Sequence, residues 1–117
     1  MEDLAFRDAA ELADLIRARK ISSRELLDYY LTRVERLNPK LNAIVTLDLE
    51  RARKRAAQAD EALANGKNWG PLHGVPITVK DTLETAGLRT TAGAPILAKH
   101  VPSTDAVSVA RLRSAGA

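Results

Sequence analysis

Positions 70–81 of this 117-residue chain read GPLHGVPITVKD, a glycine-bounded loop that runs into an alternating apolar segment. Alternate side chains of a strand point to the same face, and here the apolar members of that face are Val75, Ile77 and Val79. Pro76 stands near the start of the segment, where a missing backbone N–H is tolerated. The stretch therefore predicts a short strand over 75–80 that ends at Lys80.

Upstream of this stretch, apolar residues recur every three or four positions, which is typical of helices. Three helices are predicted, at about 8–19, 22–37 and 48–64. Ser22 and Glu25 have the spacing of a capping box at the start of the second helix. Asn38-Pro39 is expected to end that helix, and Asn65-Gly66 is expected to cap the end of the third.

Downstream, positions 81–102 have no regular pattern, and a last helix is predicted from Ser103-Thr104-Asp105 to a cap at Gly116. A strand, a connection and a helix make the first two-thirds of a βαβ unit, which needs a parallel partner strand after the helix. Either another chain completes the sheet or this chain is truncated; we favour the second and predict an α/β fold that is truncated in mid-βαβ. Residues 1–65 would form a helical segment, and residues 66–117 would start the α/β core of the same domain.

Composition and charge exclude several classes of protein. The 18 basic and 15 acidic residues are interleaved and leave a net charge of only +3, so no basic arm for direct nucleic-acid binding is expected. No apolar run approaches the roughly 18 residues that span a bilayer, and the N-terminus does not resemble a signal peptide. A cytoplasmic protein with no membrane contact is expected, its core built from Leu, Val, Ile and Ala.

Cysteine is absent and the two histidines are far apart in sequence. Disulfides, thiolate metal sites and a cysteine nucleophile are therefore excluded, and a local zinc site is not expected. The chain also lacks a Gly-rich phosphate loop, a dinucleotide-binding fingerprint and a G-x-S-x-G nucleophile elbow. We expect no metal and no cofactor.

Lys80 is the first candidate for chemistry because sites of α/β folds gather at the C-terminal ends of strands. A lysine that is partly removed from water loses stabilisation of its charge and can act as a base. The alternative is a lysine whose stem lies along the strand end while its ammonium stays in solvent. Spacing alone favours this second interpretation.

Other polar residues have structural interpretations that compete with functional ones. Asp81 could orient a substrate, but capping a turn is the simpler role, and the segment 90–93 is expected to form a turn rather than a ligand site. His73 and His100 are interpreted as packing or surface histidines. The basic residues of the third helix are interpreted as a solvated face because acidic residues flank them; they are Arg51, Arg53, Lys54 and Arg55.

Taken as a unit, GPLHGVPITVKD at 70–81 closely resembles the start of the conserved core of the amidase signature family. That family includes bacterial amidases, fatty-acid amide hydrolases and the A subunit of tRNA-dependent amidotransferases. Four further segments are similar to other blocks of the family, so that the resemblance covers nearly the whole chain. They are SSREL at 22–26, RLNPKLNA at 36–43, TTAGA at 90–94 and STDAVSVARLRSAGA at 103–117.

The resemblance implies a mixed sheet surrounded by helices and a Ser–cis-Ser–Lys mechanism in which Lys80 aligns with the catalytic lysine. In this mechanism the lysine takes a proton from a bridging serine held by a cis peptide bond, and that serine deprotonates the nucleophilic serine. Backbone N–H groups of a Gly-rich loop would form the oxyanion hole. The implied substrate is a small-molecule amide, and the implied partners are a second copy of the chain or the other subunits of an amidotransferase.

The sequence departs from the family at one important point. The Gly/Ser-rich block that carries both serines lies downstream of Ala117 in relatives, and none of the chain's own serines matches it. Loss of members of such a catalytic unit costs orders of magnitude in rate, so the chain alone is expected to be inactive. Two interpretations stay open: the N-terminal part of an amidase, or a non-catalytic helical interaction module derived from one.

Overall fold

The computed structural model describes residues 4–117 and is mainly helical. Its four α-helices are α1 (Ala9–Arg17), α2 (Ser23–Leu41), α3 (Leu49–Ala64) and α4 (Val107–Ser114). Two short 3-10 turns lie at Leu4–Phe6 and Pro95–Leu97. The three helices predicted upstream of position 66 are therefore confirmed. Within the described residues no helix is long and apolar enough to cross a membrane.

Capping boxes begin the first two helices. The carboxylate of Asp8 accepts the backbone N–H of Glu11 at 2.8 Å, while the Glu11 carboxylate accepts the backbone N–H of Asp8. Ser22 and Glu25 make the same reciprocal pair at the start of α2, as the spacing predicted. Each box gives a partner to N–H groups that a helix leaves unpaired at its start.

The predicted end of α2 at Asn38-Pro39 is wrong, because the helix continues to Leu41. Pro39 lies in the last turn, where its missing N–H removes only one intrahelical hydrogen bond. The side chain of Asn38 also exchanges two 2.9 Å hydrogen bonds with the backbone of Ile44, which holds the following chain against the helix end. Asn42 finally stops the helix in a left-handed conformation with φ of 48°.

The end of α3 agrees with the prediction. Gly66 has a φ of +73° and donates to the carbonyl of Leu63, while Lys67 donates to the carbonyl of Ala62. This pair of bonds is a Schellman motif, which favours glycine at the left-handed position. The buried residues of α3 are both alanines, Ala56 and Ala59, so the helix presents a shallow face.

The core is aliphatic, as the composition predicted. Its members come from the first turn, α1, the start of α2 and the loop after α3, and they are Leu4, Leu12, Ala13, Ile16, Leu26 and Val75. Tyr29 and Tyr30 of α2 pack against this cluster, and α2 also packs on α3. Val75 therefore ties the glycine-rich stretch to the helices.

The strand predicted over 75–80 is not found within residues 4–117, where the structure contains one isolated bridge between Thr85 and Leu88 and no strand. A strand is defined by hydrogen bonds to a neighbour, and no neighbouring strand lies in this part of the chain. Val75 is buried, but Ile77 on the same predicted face is 41% exposed. The helical part of the predicted fold class is thus confirmed, and the sheet is not shown.

The last helix starts later than predicted, at Val107, and no side chain caps its first turn. The expected cap is engaged elsewhere: the Asp105 carboxylate accepts the N–H of Ala86 at 2.7 Å and pairs with Arg113 at 2.9 Å. The predicted end is confirmed, since Gly116 has a φ of +100° and donates to the carbonyl of Arg113.

Candidate functional site

Lys80 lies at the first position of a turn. Its carbonyl accepts the N–H of Leu83 at 2.9 Å, and its side chain is exposed. No hydrogen bond or ion pair occupies its ammonium group in the part of the chain that the structure describes. The geometry therefore fixes the backbone of Lys80 and leaves its nitrogen open to a further group.

The segment that leads to Lys80 is anchored at its start. The buried hydroxyl of Ser23 donates to the carbonyl of Gly74 at 2.6 Å, and the N–H of Gly74 donates to the carbonyl of Gly116 at 2.9 Å. The next residue, Val75, is in the core. A side chain at position 74 would meet Ser23 at 3.0 Å and Ala59 at 3.3 Å, so glycine is required by the close approach of α2 and α3.

Asp81 anchors the other side of Lys80. Its carboxylate accepts the N–H of Thr91 at 3.0 Å and also the Thr91 hydroxyl, and its carbonyl accepts the N–H of Ala92 at 2.7 Å. The Thr91 hydroxyl, followed by the Thr91 amide, holds the pKa of Asp81 below its ordinary value because both stabilise the charged form. Asp81 thus caps the predicted turn at 90–93, which the structure confirms.

His73 is a packing histidine, as the sequence predicted. Only 1% of it is exposed, its Nδ1 accepts the N–H of Trp69 at 2.9 Å, and its Nε2 lies 2.9 Å from the carbonyl oxygen of Ala59. His100 lies nearer the surface with its Nε2 3.0 Å from the carboxylate of Glu84. No cluster that could hold a metal ion occurs among residues 4–117.

The basic residues of α3 divide into two kinds. Arg51 pairs with Asp48 and Arg53 pairs with Asp28, as expected of a solvated face. Arg55 differs, because its Nε donates to the carbonyl of Ala117 at 2.7 Å and its guanidinium lies 4.9 Å from the centre of the Trp69 ring. Burial, then the charge of Arg113, lowers the pKa of Arg55. The sequence analysis did not predict these contacts of Arg55. The one feature that could have pointed to them was the chain's single tryptophan, a possible partner for a cation.

An open groove of about 440 Å³ lies between α3 and the segment that precedes Lys80. Apolar side chains line most of it, including Val75, Ile77, Val79, Leu88 and Val109. Lys80 is not among the lining residues. The structure thus brings together the apolar face of 75–79 and α3, but it does not bring Lys80 into this groove.

Comparison with known proteins gives a consistent result. The family model described as Amidase matches residues 25–117. The chain is 40% identical over 115 residues to the A subunit of the glutamyl-tRNA(Gln) amidotransferase of Carboxydothermus hydrogenoformans, covering 98% of this chain and 24% of that protein. It is 43% identical over 114 residues to the protein of the same name from Bdellovibrio bacteriovorus, covering 97% of this chain and 23% of that protein.

A solved structure is similar over the same extent. The native peptide amidase of Stenotrophomonas maltophilia superposes with a TM-score of 0.87 at 37% identity, covering 96% of this chain and 23% of that one. The chain therefore spans about a quarter of the length of the curated relatives it matches.

Proposed function

The chain belongs to the Amidase family, and from this membership we propose that it supplies Lys80 as the general base of an amide-cleaving active site. The observation that carries the proposal is the segment 70–81, which lies inside the matched region and places an exposed lysine between two anchored residues. Gly74 is fixed on one side of that lysine and Asp81 on the other. A lysine whose backbone is fixed in this way can aim its amine at a reacting group.

In the proposed reaction, the unprotonated Lys80 amine takes a proton from a bridging serine. This serine takes the proton of a second serine, whose oxygen attacks the amide carbonyl carbon. The C–N bond then breaks as the Lys80 ammonium returns the proton, through the bridging serine, to the leaving nitrogen, and water hydrolyses the acyl-enzyme to the carboxylic acid. A hydroxyl nucleophile needs such a positioned base because it is weak at neutral pH.

Both serines are proposed to lie in sequence outside residues 1–117. The packing of two serines within the chain supports this. Ser22 is engaged in the capping box of α2, and Ser23 is 2% exposed with its hydroxyl donated to Gly74. We therefore expect no amide hydrolysis by the 117-residue chain alone.

The proposed substrate is a small molecule with a carboxamide group. The names of the relatives suggest two fates for the acyl-enzyme and the released amine: hydrolysis, as in a peptide amidase, or transfer within an amidotransferase that has further subunits. Either fate uses the same lysine. The first would need no partner or a second copy of the chain, and the second would need the other subunits.

The proposal also includes the sheet. The apolar alternation of 75–79 and the 41% exposure of Ile77 favour a strand that pairs with sequence outside this chain. The apolar groove beside it would then be covered by the rest of the domain.

The test begins with the protein expressed from its native gene, whose intact mass is measured first. A mass well above 12.7 kDa is expected; a mass near that value would favour the non-catalytic module and overturn the proposal for this chain. Release of ammonia from a panel of carboxamides, including glutamine and peptide amides, then identifies a substrate.

Lys80→Ala should lower the turnover of that substrate by at least about a thousandfold, since loss of a catalytic base from such a unit has effects of that order. Lys99→Ala is the matched control, because Lys99 is also an exposed lysine in a turn. It should leave turnover unchanged. Wild-type turnover in Lys80→Ala would overturn the proposal.

A further inference from the structure

We propose that Asp81 and Thr91 are positioning residues that set the direction of the Lys80 side chain, an inference that rests on the proposed role of Lys80. The direction in which a side chain leaves the backbone depends on the peptide planes on either side of its Cα atom. The plane that follows Lys80 ends at the Cα atom of Asp81, so the bonds that anchor Asp81 restrict it.

The backbone after Lys80 is fixed by hydrogen bonds to two different segments. The carbonyl of Lys80 accepts the N–H of Leu83, which closes the local turn. The carbonyl of Asp81 accepts the N–H of Ala92, which lies eleven positions further along the chain. The peptide between Lys80 and Asp81 is therefore restrained at its own carbonyl by the local turn, and at the Asp81 Cα atom by the bonds of Asp81 to the turn at 90–93.

Thr91 is the residue of the turn at 90–93 that binds the side chain of Asp81. Its amide and its hydroxyl both donate to the Asp81 carboxylate, and its hydroxyl oxygen also accepts the N–H of Gly93 at 3.2 Å. One side chain thus joins Asp81 to the turn and orders the turn itself. A carboxylate that accepts two donors from one residue has little freedom to rotate.

The turn that carries Thr91 is itself tied to the rest of the molecule. The N–H of Thr90 donates to the carbonyl of His100 at 2.9 Å, and the guanidinium of Arg89 donates to the carbonyl of Ala98 at 2.6 Å. Asp81 is therefore bonded to a loop that is itself fixed by hydrogen bonds to other residues. Displacement of a catalytic group by about 1 Å can cost about a hundredfold in rate, so loss of these hydrogen bonds is expected to lower turnover.

Thr90 provides a matched control within the chain. Thr90 and Thr91 are 6% and 7% exposed, but the Thr90 hydroxyl donates to the carbonyl of Leu88 at 3.0 Å and not to Asp81. Replacement of either threonine by valine keeps the side-chain shape and removes one hydroxyl. Only the change at Thr91 removes a bond to the residue that follows Lys80.

The experiment compares Thr91→Val, Thr90→Val and Thr91→Ser in the protein expressed from the native gene, with the carboxamide found above as substrate. We expect Thr91→Val to lower kcat by about ten- to a hundredfold while KM changes by less than about twofold, because the inference gives this pair no contact with the substrate. Thr90→Val should keep kcat, and Thr91→Ser should restore most of it by restoring the hydroxyl. Asp81→Asn, which keeps the side-chain shape, should lower kcat in the same way.

The outcomes separate this inference from the proposed function. If Lys80→Ala is inactive while Thr91→Val and Asp81→Asn retain wild-type kcat, the positioning inference is overturned and the role of Lys80 stands. If Thr90→Val lowers kcat as much as Thr91→Val does, the effect is one of general packing, and the inference is overturned as well. If Lys80→Ala is active, both fall together.

Discussion

The Nε2 atom of His73 lies 2.9 Å from the carbonyl oxygen of Ala59, inside the packed region between the glycine-rich loop and α3. The other ring nitrogen, Nδ1, accepts the backbone N–H of Trp69, which can only donate. Nε2 must therefore carry the hydrogen and donate it to Ala59. The His73 side chain therefore joins Trp69, which lies before residue 70 in the loop, to α3.

The first prediction concerns this histidine. His73→Phe should leave the part-buried Trp69 N–H without its partner and remove the second hydrogen bond of the Ala59 carbonyl, which lies inside α3; an unpaired polar group costs about 1–3 kcal/mol. We expect the free energy of unfolding, measured by urea denaturation, to fall by about 2 kcal/mol or more. His100→Phe is the control, because His100 is less buried and should change stability far less. Equal losses in the two variants would contradict this assignment.

The second prediction concerns Gly70. A Cβ atom at this position would lie 2.6 Å from the carbonyl oxygen of Ala115, and the φ of +145° is one that other residues rarely adopt. Gly66 also has a positive φ, but a Cβ there would meet no atom within 4 Å. Gly66→Ala should therefore cost about 1 kcal/mol from backbone strain alone, whereas Gly70→Ala should cost about 1–3 kcal/mol more because the backbone must move.

Thermal unfolding of the two glycine variants measures this difference. Amide exchange adds a local check, since Leu72 donates to the same Ala115 carbonyl and should lose protection only in Gly70→Ala. Similar melting temperatures for the two variants would show that the loop moves aside freely.

The third prediction concerns Arg19, which follows α1 in a left-handed conformation with φ of 55° and donates its side chain to the carbonyl of Leu63 at 2.9 Å. Arg19→Ala loses the bond and keeps the backbone strain, while Arg19→Gly loses the bond and relieves the strain. The glycine variant should therefore be more stable than the alanine variant by about 1 kcal/mol. An alanine variant at least as stable as the glycine variant would contradict the assigned strain.

The fourth prediction concerns acid. The folded pKa of Asp81 lies below its ordinary value, chiefly because the Thr91 hydroxyl stabilises the carboxylate. Its contribution to stability is therefore present above the unfolded pKa of about 3.9 and is lost as the pH falls through the lower folded value. Thr91→Val removes the largest cause and should raise the pKa of Asp81 toward its ordinary value. NMR titration of the Asp81 carboxyl carbon measures this shift, and Thr90→Val should leave it unchanged.

Features that depend on neighbours in the chain could be predicted from the sequence. The capping box of Ser22 and Glu25, the cap at Gly66 and the cap at Gly116 were all predicted and confirmed, because each is made by residues a few positions apart. The start of α4 was not, because Asp105 is drawn to the N–H of Ala86, nineteen positions upstream. The end of α2 was predicted wrongly because a proline in the last turn of a helix removes only one intrahelical hydrogen bond.

The candidate site likewise contains features that neighbouring residues determine and contacts between residues far apart in the chain. Lys80 could be proposed from a contiguous segment of sequence, and its catalytic role stays a prediction. The pairing of Asp81 with Thr91 and the contact of Arg55 with Ala117 join residues ten and sixty-two positions apart. Nothing in the local pattern of either residue indicates its partner, so these contacts required the folded chain.

The close approach of Gly74 to Ala59 has a consequence for how these two positions can vary. The methyl group of Ala59 already fills the space between α3 and the loop, since a Cβ atom at position 74 would lie only 3.3 Å from the Ala59 Cβ. Glycine has no side chain to give up, so volume added at position 59 requires the loop to move. In a deep mutational scan, single substitutions at positions 59 and 74 should therefore be tolerated only for the smallest residues. A larger residue at position 59 should be tolerated only in combination with changes in the loop.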